Sequence, residues 1–307
     1  MITVFPDYYK DFSCIAEKCR HNCCIGWEID IDEDTLAFYQ SVDGEIGRRL
    51  QENISLTDTP HFILGHHDRC PFLNERNLCD LILTLGENRL CQICTDHPRF
   101  RNELPDRTEI GVGLCCEAAG RLILGRQAPA KLEGSEPTDD EIILIRDEAL
   151  ALLQNRSLPI TKRIGQMLSL CGASLGARTI PQWADLLLSL ERLEEDWTSL
   201  LTLLKDRRTD VDDSGFDAHM KNRQTEYEQF LVYLVYRHLA NAADEVDLAA
   251  RAAFAALGYA VIYSLGAILW TRNGCFTFDD QVELARHFSA ELEYSEENLN
   301  AIFDALV

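Results

Sequence analysis

Ten of the chain's twelve cysteines lie at or before Cys116, and their spacing is that of metal-ligand groups rather than of scattered core residues. The first group is Cys14, Cys19, Cys23 and Cys24, within FSCIAEKCRHNCCIGWEID; the second is Cys70 and Cys79, within CPFLNERNLCD. Cys91 and Cys94 in LCQICTDHPRF form a third, and the adjacent pair Cys115 and Cys116 a fourth. Thiolates a few positions apart on a turn can converge on one centre while the remaining ligands arrive from distant loops. Soft sulfur donors suit zinc and iron–sulfur clusters alike, so the residues point to a metal without choosing it. Adjacent side chains rarely aim at one metal, which makes Cys115 the expected bystander of its pair. Cys171 and Cys275 stand alone in the second half and are expected to be small apolar core residues. The histidines beside the cysteines, His21, His66, His67 and His97, read as loop residues, since the thiols already suffice as ligands. Trp27, in CCIGWEID, is expected to be an apolar cover over the centre.

The elements that must carry these groups change character along the chain. A helix is expected from about Asp34 to Asn53, with Leu36, Tyr39, Ile46 and Leu50 inward, and short β pieces around His61 to Leu64 and either side of Pro105-Asp106. Between Gly125 and Asp139 the sequence GRQAPAKLEGSEPTD is rich in Pro, Gly and small polar residues, the composition of a boundary. Thr138 to Glu141 then fits a capping box opening a helix. From there apolar residues recur at three-to-four spacing through to the tail segments beginning near Phe278 and Ser295. The expected fold is mainly α: an irregular Cys-rich metal-binding domain with short β pieces over residues 1–125, a linker at 126–138, and an all-α helical domain over 139–307.

Composition narrows the partners. With 51 acidic against 29 basic residues the net charge is −22, the wrong sign for nucleic-acid binding and a favourable one for approach of a lysine-bearing substrate. Asp7, Lys10 and Asp11 interrupt the N-terminus before a signal-peptide apolar region could form, so a cytoplasmic location is expected. In that reducing compartment clustered cysteines ligate metals or do redox chemistry rather than form disulfides. The uncharged run from Ala252 to Trp270 is long enough to span a membrane. Its Ala, Gly and Ser make it weakly hydrophobic and suit a buried helix in a tight bundle, so no membrane partner is expected.

Three blocks resemble, in order and wording, the flagellin lysine N-methylase (FliB) family: PDYYKDFSCIAEKCRHNCCIGWEIDIDEDT, CPFLNERNLCDLILTLGENRLCQICTDHPRF and EIGVGLCCEAAGRLIL. The N-terminal part also resembles the wider YkgJ-type zinc- or iron-chelating group. The likeness covers about residues 1–125 and is weaker beyond, where EYEQFLVYLVYRHL looks like a shared segment. It implies methyl transfer from S-adenosylmethionine to lysine amines of flagellin, in a protein holding a [4Fe–4S] cluster. By position, the family cysteines fall on Cys14, Cys19, Cys23, Cys24, Cys70, Cys79, Cys91, Cys94 and Cys116. Cys115 stands where the family has a serine, and Glu117 where it has a proline.

Methylating a lysine requires a neutral amine and an aligned donor in a dry site, commonly with aromatic walls. Tyr233, Tyr236 and Arg237 fall at helical i, i+3, i+4 positions and are the candidates for such a pocket, Arg237 facing the donor's carboxylate. The stretch from Glu109 to Cys115 has Gly111 and Gly113 but no third glycine, and reads as a strand end rather than a donor loop. Cys19 and Cys23 have the first spacing of the radical motif CxxxCxxC, but Gly26 occupies its third position. On the cysteines alone, a non-enzymatic zinc- or iron-binding module remains the alternative to a methyltransferase.

Overall fold

A computed structural model describes residues 2–207 and 210–307. The chain is mainly helical, at 58% helix and 9% strand, and contacts divide it into two compact units. One is the continuous stretch Ser13–Phe100; the other joins the N-terminal residues up to Phe12 with Arg101–Val307. This division lies elsewhere than a boundary at 125. The strand Arg107–Val112 pairs with Ile2–Pro6, and the helix Glu117–Leu124 packs on the helices Gln224–His238 and Phe278–Phe288. Within the stretch expected as linker, Leu132–Glu133 is itself an edge strand.

The Ser13–Phe100 unit has little regular structure. Its first α-helix, Glu33–Gln40, is capped by Asp32, whose side chain accepts from the Thr35 amide at 3.0 Å. The single helix expected to reach Asn53 is broken: the chain turns at Ser41–Asp43 and a second helix runs Gly44–Asn53. Gly44 sits at φ +79°, a conformation side-chain-bearing residues rarely adopt, so a glycine at the break lets the chain reverse. Two short strands, Ile54–Ser55 and His61–Phe62, pair antiparallel. The core is Ile29, Ile31, Tyr39, Leu50, Phe62, Phe72, Leu73 and Leu81, joined by Cys70 and Cys91.

In the other unit Ile2–Pro6 runs parallel to Arg107–Val112, Val4 opposite Glu109, and antiparallel to Leu132–Glu133. The sheet order places Arg99–Glu103 outside Arg107–Val112, on either side of the expected Pro105-Asp106 turn. The helices pack around Gln224–His238, buried at every residue from Glu226 onward. Its acidic residues are matched: Glu228 by Arg156 and Arg163, Glu226 by Arg223. The cap expected at Thr138 falls instead on Asp140, which accepts from the Ile143 amide and starts the helix Glu141–Leu153. At the tail, Thr277 and Ser295 cap Phe278–Phe288 and Glu296–Leu306, as the tail segments led one to expect. The long apolar run lies within the helix Glu245–Asn273, and 78% of its most apolar window is buried against the rest of the protein, so here it packs as a core helix.

Candidate functional site

Local sequence brings five thiols of the Ser13–Phe100 unit to one core. Cys70 and Cys91 are fully inside it, and Cys24, Cys79 and Cys94 pack against it partly buried. The Cys70 amide donates to the Cys24 carbonyl at 2.8 Å, tying the first cysteine group to the second. A bridge between Leu73 and Cys79 closes the NERN turn and sets Cys79 at the entrance of the helix Asp80–Leu85. Asp32, besides capping its own helix, accepts from the Gln92 amide at 2.8 Å and so holds the Cys91–Cys94 turn in place.

The thiols influence one another. A hydrogen bond with Cys24 lowers the Cys23 thiol to about 7, while the same contact and then burial raise Cys24, which also feels Cys70 and Cys79. Cys91 and Cys94 repeat the arrangement: their shared hydrogen bond lowers Cys91 and raises Cys94. Burial pushes Cys70 up to about 11 and raises Cys79. The thiols are soft donors by chemistry, but among the described residues no three His, Cys, Asp or Glu side chains stand around one point as ligands. Trp27 packs against the same core, its indole N–H donating to the Cys23 carbonyl at 2.7 Å and its ring 5.8 Å from that of His97. Burial lowers His97 to about 4, leaving it neutral.

The other predicted ligands are placed differently. Cys14 and Cys23 are exposed, and Cys19 is half-buried with its thiol on the His21 carbonyl at 3.0 Å. Cys116 belongs to the other unit, where it precedes the helix Glu117–Leu124. Of the two lone cysteines, Cys171 is buried as expected, whereas Cys275 is exposed in the loop after Gly274. His66 and His67 lie on the surface with their rings 3.9 Å apart.

Tyr233, Tyr236 and Arg237 do not line one pocket. Arg237 donates to the Tyr233 hydroxyl at 2.6 Å and pairs with Glu293 at 3.4 Å; Glu293 also takes the Tyr233 hydroxyl at 3.1 Å and meets His238 Nε2 at 2.6 Å. Tyr236 turns to the sheet, its hydroxyl 3.0 Å from the carbonyl oxygens of both Val4 and Ile110. Burial opposes charge on Glu293, but Arg237 and His238 outweigh it and hold the carboxyl below its ordinary value. Arg237 therefore has its counter-ion already. The Tyr294 ring lies 4.6 Å from the Arg237 guanidinium. Neither Glu293 nor Tyr294 was foreseeable. They fall at the end of a π-helical turn, Ser289–Glu293, between the two tail helices, where linear periodicity carries no signal.

The profile of the FliB lysine N-methylase C-terminal domain matches residues 180–307. The flagellar biosynthetic protein FliU of Salmonella muenchen is 30% identical over 126 residues, 38% of this chain and 75% of that protein. The chain belongs to the FliB lysine N-methylase family. Two further relatives, lysine-N-methylases of Salmonella choleraesuis and Salmonella typhimurium, are each 30% identical over 136 residues. These matches cover 42% of this FliB-family chain but only 34% of either relative. No solved structure matches. The C-terminal domain of the family contains Gln224–His238, Glu293 and Tyr294, while the Leu114 amide, which donates to the Tyr233 hydroxyl, lies outside it.

Proposed function

We propose that the chain is a methyltransferase of protein lysine side chains, acting on flagellin with S-adenosylmethionine as donor, and that it holds a soft metal, best an iron–sulfur cluster, on thiols of the Ser13–Phe100 unit. The observation that carries the enzymatic reading is the 30% identity to two proteins named lysine-N-methylase, together with membership of the FliB family. The flagellar name of the third relative supports flagellin as substrate. A net charge of −22 favours encounter with lysine-bearing surfaces.

Cys24, Cys70, Cys79, Cys91 and Cys94 would hold the metal, with sulfur ligands supplying the soft field that retains iron or zinc. Asp32 positions the Cys91 turn, and Trp27 and the neutral His97 keep water from that side. The reducing cytoplasm that keeps these thiols available is the location we assign. As they stand, Tyr233, Tyr236 and Arg237 do not fit the donor, because each polar group already has an internal partner.

The test incubates anaerobically purified protein with flagellin of its own organism and S-adenosylmethionine, followed by intact-mass measurement and peptide mapping. Methyl-sized mass steps on lysine are expected. Unmodified flagellin with the metal in place would overturn the enzymatic reading and leave a metal-binding module, which the five thiols alone support.

A further inference from the structure

We propose that Tyr259, Tyr263 and Asp217, backed by Tyr227, form a binding site for the ammonium group of a lysine side chain, and best for a methylated one. The inference deepens the methyltransferase reading and rests on it for the choice of lysine as the carrier of the cation.

Three helices bring these residues together, all inside the unit completed by Arg101–Val307 and inside residues 180–307, which match the family profile. Tyr259 and Tyr263 stand one turn apart on Glu245–Asn273, so their rings lie side by side, with centroids 5.7 Å apart and an interplanar angle of 30°. Tyr227, on Gln224–His238, is fully buried and packs against both, 5.2 Å from the Tyr259 ring and 6.0 Å from that of Tyr263. Asp217 comes from the short helix Asp213–Met220 and accepts the Tyr263 hydroxyl at 2.5 Å. Its neighbour Phe216 meets the Tyr263 ring edge-on at 5.3 Å and fixes the tilt of that ring.

The cluster differs from plain core packing. Tyr259 and Tyr263 are only half-buried on a helix that is otherwise mostly inside the protein, so ring surface stays open to solvent. Asp217 is exposed, and among the described residues no Lys, Arg or His pairs with it. The Tyr227 hydroxyl has no hydrogen-bond partner, although buried polar groups are nearly always paired. Burial first, and then Asp217, raise the Tyr259 and Tyr263 phenols, which therefore remain protonated. The faces of neutral phenol rings attract a cation through their quadrupole, and the carboxylate supplies the full opposite charge. Methyl groups replace N–H donors and weaken the hydration of an ammonium, so a methylated amine gains most from aromatic surface. Tyr233 and Tyr236, both buried, offer no such open face.

The test adds the full chain to N-acetyl-Nε-trimethyl-lysine amide and follows the N-methyl proton resonance by nuclear magnetic resonance. Methyl groups held against aromatic rings should move upfield. A neutral analogue with carbon in place of the charged nitrogen should bind about fivefold more weakly, and so should the trimethyl compound to Tyr259→Leu. Asp217→Asn should weaken binding about threefold, the contribution of an exposed charge pair. Equal binding of the neutral analogue, or affinities unchanged in both variants, overturns the proposal. Should Tyr259→Leu not fold, the exposed Asp217→Asn and the neutral analogue decide. No upfield movement with the wild type overturns the site whether or not flagellin becomes methylated. Binding by a chain that leaves flagellin unmodified supports the site and overturns the enzymatic reading alone.

Discussion

Arg146 grips Glu109 with both terminal guanidinium nitrogens, at 2.6 and 2.8 Å, and neither side chain is more than 1% exposed. The pair ties the helix Glu141–Leu153 to the strand Arg107–Val112, and the guanidinium lies 5.5 Å from the Tyr236 ring. Removing one partner strands the other charge in a dry interior. Arg146→Ala should therefore cost about 3–5 kcal/mol in denaturant unfolding, while replacing both residues by apolar ones of similar volume should cost much less. Equal losses in the single and double variants would count against a charge-stranding origin.

Asp32 gives the thiol-bearing unit a predicted acid limit. Burial alone would raise its carboxyl, but hydrogen bonds from the Gln92 and Thr35 amides outweigh that and hold it below 3.8. Asp80 is lowered in the same sense: burial raises it, and Asn74 and Arg49 more than reverse this. Both folded-state values lie below the unfolded ones, so the stabilisation is fully present above pH 3.8 and is lost as pH falls through the folded values. Unfolding followed across that range should show a loss that Asp32→Asn reduces. A titration identical in the variant would rule Asp32 out as a source.

Gly113 and Tyr294 should couple. A Cβ added at Gly113 would stand 2.1 Å from the Tyr294 hydroxyl and 3.2 Å from Arg237 Nη1. Gly113→Ala is expected to cost about 1–3 kcal/mol by overpacking. Tyr294→Phe removes the obstructing oxygen, so a double-mutant cycle by thermal or denaturant unfolding should show the two changes to be less than additive. Strict additivity would mean that the loop moves aside instead.

The cysteines separate by position. Cys94→Ser should lower metal content and destabilise the Ser13–Phe100 unit, since a hydroxyl is a poor soft-metal ligand and binding energy at such sites is folding energy. Cys275→Ser, exposed, should change neither. Cys171→Ser should leave the metal while costing about 1–3 kcal/mol if the buried hydroxyl finds no partner. Metal analysis alongside unfolding distinguishes the three, and metal loss in Cys275→Ser would contradict the assignment.

Much of this arrangement was readable in advance because it is local. The tail helices beginning near Phe278 and Ser295, the turn at Pro105-Asp106 and the helical character of Gln224–His238 depend on a few neighbouring residues, and each appears where short-range chemistry places it, while the cap expected at Thr138 moved only to Asp140. What escaped depends on pairing across the chain. The strand Ile2–Pro6 finds its partner at Arg107–Val112, so that strand and the following helix belong to the unit that does not hold Ser13–Phe100. Arg237 is neutralised by Glu293, and nothing in the spacing of either announces the other. Helix periodicity put Tyr233, Tyr236 and Arg237 on one face, but hydrogen bonding divides them between Glu293 and the sheet carbonyls.

The same long-range strand pairing sets an order of events during synthesis. All of Ser13–Phe100, with the five clustered thiols, is made before Arg107–Val112 exists to receive Ile2–Pro6. The first strand must wait unpaired, and the entropy of closing that span falls if the intervening segment has already condensed. Until Arg107–Val112 emerges, the first strand keeps an unpaired edge of the kind that invites aggregation, and a crowded, slow synthesis lengthens that exposure.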